Sequence, residues 1–417
     1  MSYSRMSRRR AMALAGRTVA SAAALSLLPA AGRAAAAPAA GRHDDLVLFW
    51  YDRTVRAVGA AAFREPVTQS RAWAVSWLAA ARAAREASSP VAAAAGLATA
   101  LHDTLAAQVP AAQSGLDSAL TATLAGLPQG LAVERGVAAG RRHAAAVLAE
   151  RAGDGLDTAS VDIDWTPPPA APGVWQPTPP SFGPAVRAGQ GRARPFLLPR
   201  GDRFRLGPPP SLTSSAYGSA LAEVRAVGSG SSTVRTAAQT DVALFWEQNS
   251  IDAYVQVLRA VLAGDRQPPA RRARLVAAFH ALTIDAQIAV YDTKYAYVFW
   301  RPVTAIRTGE PPDPGWTPLL DTPRHPDYPS GHAGYAGAAQ QALEALAGPA
   351  PRIPVAVTST AEPGVTHTFH TWSAITAENV DGRVWEGIHY RFSDVTGVAL
   401  GRRVAGYGLR RLAALGL

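Results

Sequence analysis

Apolar positions between His43 and Ala152 recur at helical spacing and do not alternate. Phe49-Trp50, Val55, Val58 and Ala62 follow helical spacing. Ala, Leu, Val and Arg dominate the stretch and β-branched runs are few, which favours helix. Further helices are expected over about 70–87, over 90–125 with a break near Pro110, and over 130–151, with Gly126, Pro128 and Gly130 between them. From Asp162 to Pro210 the pattern dissolves. Pro167-Pro168-Pro169, Pro172, Pro177, Pro179-Pro180 and Pro208-Pro209-Pro210 forbid long helices. Trp165, Trp175, Phe182, Phe196 and Phe204 recur there as apolar anchors, so an ordered strap is expected. Helical texture resumes near Ser211. Thr240 is placed to N-cap a helix carrying Asp241–Trp246. That run, Asp-Val-Ala-Leu-Phe-Trp, echoes Asp45–Trp50, as if each half opened with a similar helix. A long helix over 270–300, ended by Pro302, precedes helices over 330–346, 371–384 and 394–415. Residues 351–368 read as a connection with strand character. The expected fold is all-α: helical bundles at 43–160 and 211–417 joined by a proline-rich strap at 161–210.

Composition adjusts this picture at the N-terminus. The chain has 417 residues and a net charge of +10. Residues 1–37 hold Arg5, Arg8, Arg9, Arg10, Arg17 and Arg33 and no acid. Without them the balance is modest, and no nucleic-acid partner is inferred. Ser7-Arg8-Arg9-Arg10, the apolar run Thr18–Ala31 and the small residues after it read as an export signal. The paired arginines resemble a twin-arginine signal, although Ala11 stands where a bulky apolar residue is usual; an ordinary Sec signal is the alternative. The protein is expected to be exported, with no membrane span in the mature form. The absence of cysteine excludes disulfides, thiolate metal sites and cysteine nucleophiles.

One compositional oddity points to chemistry. Lys294 is the only lysine, and the other 40 of the 41 basic residues are arginine. Lysine is a compact point charge and arginine a planar fork, so some sites cannot exchange them. Arg301 lies seven residues on, close to two helical turns, so both cations are expected on one helix face. Two more clusters follow, Pro329-Ser330-Gly331-His332 and Gly382-Arg383 with His389. Alone, each reads as an ordinary helix start or surface pair. Together they supply three cations, a helix N-terminus with a hydroxyl and a glycine amide, and two histidines. Helix N-termini and arginine forks hold oxyanions. The sum is a site for a tetrahedral or bipyramidal oxyanion. Arg383 and His389 sit about 120° apart on an ideal helix, so a break near Gly387 is expected. His367 and His370 lack a third nearby ligand and read as loop or core residues.

The three clusters resemble the signature of the superfamily that contains type 2 phosphatidic acid phosphatases, bacterial class A acid phosphatases and vanadium-dependent haloperoxidases. Pro172-Gly-Val-Trp175, Pro208-Pro-Pro-Ser-Leu-Thr, Arg235–Trp246 and His325-Pro-Asp-Tyr-Pro-Ser-Gly-His332 look like the secreted bacterial haloperoxidase branch. The resemblance implies vanadate as cofactor, with phosphate as the other candidate for the same place. It implies that His389 bonds the vanadium and that Lys294, Arg301, Ser330, Gly331 and Arg383 hold its oxygens. His332 would be the acid–base residue, and the substrates hydrogen peroxide, a halide and an organic acceptor. His325 stands where vanadium bromoperoxidases carry His and chloroperoxidases Phe, which leans towards bromide. The phosphatase motif places Asp four residues after the metal-site His; here Ser393 stands there, with Asp394 next. The group that orients His389 is therefore open. The alternative implied function is a soluble acid phosphatase using His389 as nucleophile. A non-catalytic oxyanion-binding protein is a third.

Overall fold

The computed structural model describes residues 45–417 except Ala62 and Arg64, so the expected export signal lies outside the described residues. The N-terminal part is helical: α1 (Leu46–Ala60), α2 (Pro66–Glu86), α3 (Pro90–Gln108), α4 (Gln113–Ala125) and α5 (Leu131–Glu150). Proline at the start of α2 and α3 fits the first turn, where its missing N–H costs nothing. After the strap come α6 (Ser215–Val227), α7 (Ala237–Phe245), α8 (Ser250–Gly264), α9 (Pro269–Tyr297), α10 (Pro302–Thr308) and α11 (Gly331–Leu346). A hairpin of β1 (Val355–Thr358) and β2 (Thr366–Phe369) pairs antiparallel, Val355 opposite Phe369. Helices α12 (Trp372–Trp385) and α13 (Arg391–Leu409) complete the fold. The class is all-α.

Helix α9 is the centre. It packs against α2 on one side and against α11 and α13 on the other, and one hydrophobic core runs from Val47 to Leu415. The sequence pattern marked no membrane-length apolar stretch beyond the N-terminus, yet α9 is long and apolar enough to cross a bilayer. Its interspersed polar residues hid that, and most of the helix is buried inside the protein.

Two local expectations change. The helix carrying Asp241 is capped by Thr236, four residues before Thr240, through a capping box with Gln239. The Asp45–Trp50 echo therefore opens α1 but closes α7, and it marks no structural repeat. In the strap, Trp175 is fully buried, whereas Phe182 is exposed and anchors nothing. The strap is held through its backbone. Asp285 in mid-α9 accepts the amides of Phe196, Leu197 and Leu198 at 2.6–2.8 Å.

The contact that aligns the site is between α11 and α13. Gly334 and Gly337 on α11 face Gly397 and Gly401 on α13. A Cβ on Gly401 would overlap the Gly334 carbonyl, and one on Gly397 would lie 2.8 Å from the Ser330 carbonyl. Only glycine permits this backbone approach. It brings the start of α13 against the start of α11, where the Ser330 amide donates to the Ser393 carbonyl at 2.9 Å.

Candidate active site

Lys294 and Arg301 do not share a helix face. Helix α9 stops at Tyr297, Val298 takes a left-handed conformation at φ 51°, and Arg301 N-caps the short α10. The strap clamps this exit: the Trp175 amide donates to the Val298 carbonyl and the Trp300 amide to the Gly173 carbonyl. Lys294 is completely buried, and its ammonium donates to the carbonyls of Pro326 and Asp327, each at 2.7 Å. Burial, then the neighbouring Arg301, holds its pKa well below the usual lysine value. Arg301, also fully buried, donates to the carbonyls of His325 and Ile388 and reaches Nε2 of His389 at 3.1 Å and Nδ1 of His325 at 3.1 Å.

The chain turns at Gly387, φ 82°, between α12 and α13, so Arg383 and His389 lie on either side of the break. Nδ1 of His389 is 2.8 Å from Oδ1 of Asp327, whose other oxygen accepts from the Ser393 hydroxyl. The carboxylate can only accept, so Nδ1 carries the proton and Nε2 keeps its lone pair. Asp327 is thus the orienting group that the sequence left open. Asp394 instead sits beside Ser330, neither oxygen hydrogen-bonded among the described residues, its pKa raised well above normal by burial. Burial pushes Asp327 up to about 6, partly offset by Arg301 and Lys294. Burial, with Arg301 and Lys294, holds the His389 pKa well below 6.5.

Ser330 caps α11, its Oγ accepting from the Ala333 amide at 3.4 Å. The amides of Gly331 and His332, first in the helix, make no hydrogen bond among the described residues. Nε2 of His332 faces the Gln248 carbonyl at 3.1 Å, so Nε2 is the donor and Nδ1 the free acceptor. Its pKa is lowered by burial and by Arg383. Arg383 donates to the Trp246 carbonyl at 2.7 Å and to Glu386 at 2.8 Å, while its buried Nε has no partner among the described residues.

Gly331, His332, Arg383, His389 and His325 line one cavity of about 260 Å³. Lys294, Arg301 and Ser330 are not among its lining residues. Arg187, Tyr291 and Glu386 do line it, although none of the three was expected there; Glu386 falls inside the third cluster, between Arg383 and His389. Arg187 comes from the strap, held by an ion pair with Glu65, and donates to Tyr291 Oη at 3.0 Å. Arg301 can only donate, so Nδ1 of His325 accepts from it; the nearby Pro326 carbonyl is already taken by Lys294. Nε2 of His325 then donates to Tyr291 Oη at 3.3 Å. With two donors on its oxygen, Tyr291 has its own O–H left for the cavity. The spare buried Nε, two free helix amides and four cations, Arg187 and Arg383 on the cavity and Arg301 and Lys294 behind it, are chemistry that suits an oxyanion. His367 lies elsewhere, bonded to Glu378 and Asp241 and stacked on Phe245. Among the described residues, no group of three or more His, Cys, Asp or Glu is arranged to hold a metal ion.

Residues 274–415 match the family model of the VCPO second helical-bundle domain. No curated protein matches the sequence. Among solved structures, the chain resembles the first bacterial vanadium-dependent iodoperoxidase, at 21% identity and a TM-score of 0.72, over 87% of this chain and 94% of that one. It also resembles a bacterial vanadium-dependent chloroperoxidase in its holo form, at 17% identity and a TM-score of 0.63, over 89% and 92%. The apo form of a bacterial vanadium-dependent chloroperoxidase aligns at 16% identity and 0.63, over 85% and 95%.

Proposed function

Residues 274–415 carry the VCPO second helical-bundle domain within the fold of the bacterial vanadium-dependent haloperoxidases, and from that premise we propose that this chain is a vanadate-dependent haloperoxidase, oxidising halide with hydrogen peroxide to a hypohalous species. The observation that carries the reading is the pairing of two histidines on one cavity. Each has one ring nitrogen fixed as donor, by Asp327 or by the Gln248 carbonyl, and the other left as acceptor.

The residues present fit vanadate. His389 would bond the vanadium through Nε2. The amide of Gly331, the hydroxyl of Ser330, and Lys294, Arg301 and Arg383 would hold the oxygens, with the unpartnered Nε of Arg383 as a ready donor. When bound, vanadate would supply Lewis acidity, drawing charge from peroxide oxygen so that halide attacks it. His332, neutral at pH 7, would accept a peroxide proton on Nδ1 and return it to the product oxygen. His325 and the free O–H of Tyr291 would face the halide, and His325 leans the preference towards bromide. The organic acceptor would take the halogen from the hypohalous product. Export, proposed on the sequence of residues 1–37, would put the reaction outside the cytoplasm.

The test is reconstitution. Apo protein given vanadate should brominate a dye in the presence of peroxide, and His389→Ala should abolish it. Vanadate that only inhibits a phosphate-releasing activity would assign the site to phosphate-ester hydrolysis. Phosphate binding with neither activity would make the protein a non-catalytic oxyanion binder.

A further inference from the structure

Three acids line the cavity, Glu247, Asp321 and Glu386, and the oxyanion reading uses none of them; Glu386 is the one bonded to Arg383. Glu386 caps the C-terminus of α12 and is 1% exposed. Its Oε1 accepts from Arg383 at 2.8 Å, and its Oε2 has no hydrogen-bond partner among the described residues. The residue lines the same cavity as Gly331, His332, Arg383 and His389. A carboxylate accepts hydrogen bonds and donates none. In a pocket for anions it is out of place, because it offsets one cation and repels an incoming oxygen. The conflict disappears when one proton lies between the carboxyl group and the anion.

We propose that Glu386 makes this pocket selective for tetrahedral oxyanions that carry an O–H, phosphate and vanadate among them, over those that carry none, such as sulfate. The inference rests on the cavity being an oxyanion site. Hydrogen phosphate brings the proton and donates it to Oε2. Sulfate brings none, so Glu386 must first take a proton from water. Burial, offset in part by Arg383 and reinforced by Glu247, pushes the Glu386 carboxyl up to about 8. Besides Arg383 and Glu247, the charged or titratable groups on this cavity are Arg187, Tyr291, Asp321, His325, His332, Tyr335 and His389, with Arg301 behind it. Burial lowers the pKa values of all three histidines, so they stay neutral across the alkaline range. Below pH 8 Glu386 is protonated and admits either anion. Above it, sulfate loses about tenfold in affinity per pH unit, and hydrogen phosphate is spared that loss.

Calorimetric titration of the full chain with inorganic phosphate and with sulfate decides the matter. At about pH 6.5 the two affinities should agree within about threefold, and at about pH 9.5 phosphate should lead by at least about tenfold. Glu386→Gln, which neither ionises nor needs a proton, should return the ratio at the higher pH to within about threefold. A wild-type ratio that does not change with pH overturns the proposal, and so does a folded Glu386→Gln that keeps the wild-type ratio. The wild-type comparison stands even if the variant fails to fold. If neither anion binds at either pH, the oxyanion reading itself fails.

Discussion

Asp327 and His389 come from loops 62 positions apart, yet Oδ1 of one meets Nδ1 of the other at 2.8 Å, both side chains buried. The carboxylate fixes the imidazole tautomer and leaves Nε2, which faces the Arg301 guanidinium at 3.1 Å, as the acceptor proposed to bond vanadium. Asp327→Asn should therefore weaken vanadate binding by about 10–100-fold, the usual cost of losing such a partner. Equilibrium dialysis with vanadate measures it, with thermal melting as the control for folding. Undiminished affinity would mean that Asp327 does not orient His389.

The three clusters were legible because their chemistry is local in sequence. Ser330, Gly331 and His332 are contiguous, and the break that separates Arg383 from His389 follows from helix geometry. Asp327 was not singled out. Its role depends on a turn that carries it under His389, and the spacing rule looked downstream to Ser393 and Asp394. Ser393 does take part, but as the donor to Asp327. Arg187 and Tyr291 were invisible for a different reason. Arg187 reaches the cavity because its amide is held by Asp162, its side chain by Glu65 and the preceding Val186 amide by the Arg324 carbonyl, long-range contacts that periodicity does not encode. The shared helix face for Lys294 and Arg301 failed because Val298 ends α9 one turn early.

The approach of α11 to α13 sets the distance between Ser330 and Ser393. A Cβ on Gly337 would overlap the Val398 carbonyl, which belongs to rigid helix backbone and cannot move aside as a side chain would. Gly337→Ala should cost about 1–3 kcal/mol, the range for overpacked cores. It should also weaken oxyanion binding by pushing the two helix starts apart. Gly406→Ala on the same α13, where a Cβ meets nothing within 4 Å, should leave binding unchanged and raise stability by up to about 1 kcal/mol through helix propensity. Thermal melts and phosphate titration of the two variants make the comparison. Equal effects would remove the helix contact from the argument.

Asp285 ties the strap to α9, and its ionisation bears on stability. Burial pushes its carboxyl up to about 6, with the amides of Phe196, Leu198 and Leu197 and the charge of Arg151 pulling the other way. A folded pKa above the unfolded value of 3.8 means that the native state holds the proton more tightly. The associated stability is present in full below the unfolded value and is lost as pH rises through the folded one. Asp285→Asn does not titrate. Between about pH 4 and pH 7 it should gain on wild type by up to about 3 kcal/mol, read from denaturant melts at each pH. A gap that moves the other way would show that the three amides outweigh burial and favour the carboxylate.

Lys294 offers the sharpest test of why one lysine stands among forty arginines. Its ammonium makes two 2.7 Å bonds to carbonyls on one loop, in complete burial, with one proton left over. Three tetrahedral donors can satisfy the two carbonyls and leave one N–H for the proposed anion. A guanidinium is wider, planar and carries five donors, so in this position it would leave N–H groups buried and unbonded. Displacing the loop would also move Asp327, whose own carbonyl is one of the two acceptors, and with it the orientation of His389. Lys294→Arg keeps the charge and should still lower vanadate affinity by at least about tenfold, since an unmade buried hydrogen bond costs about 1–3 kcal/mol. Lys294→Met removes the charge at similar volume and should lose the affinity as well. Vanadate binding by both variants, followed by dialysis, separates the possibilities. Full affinity in the arginine variant would show that charge alone is required, and the compositional oddity would then have no structural cause.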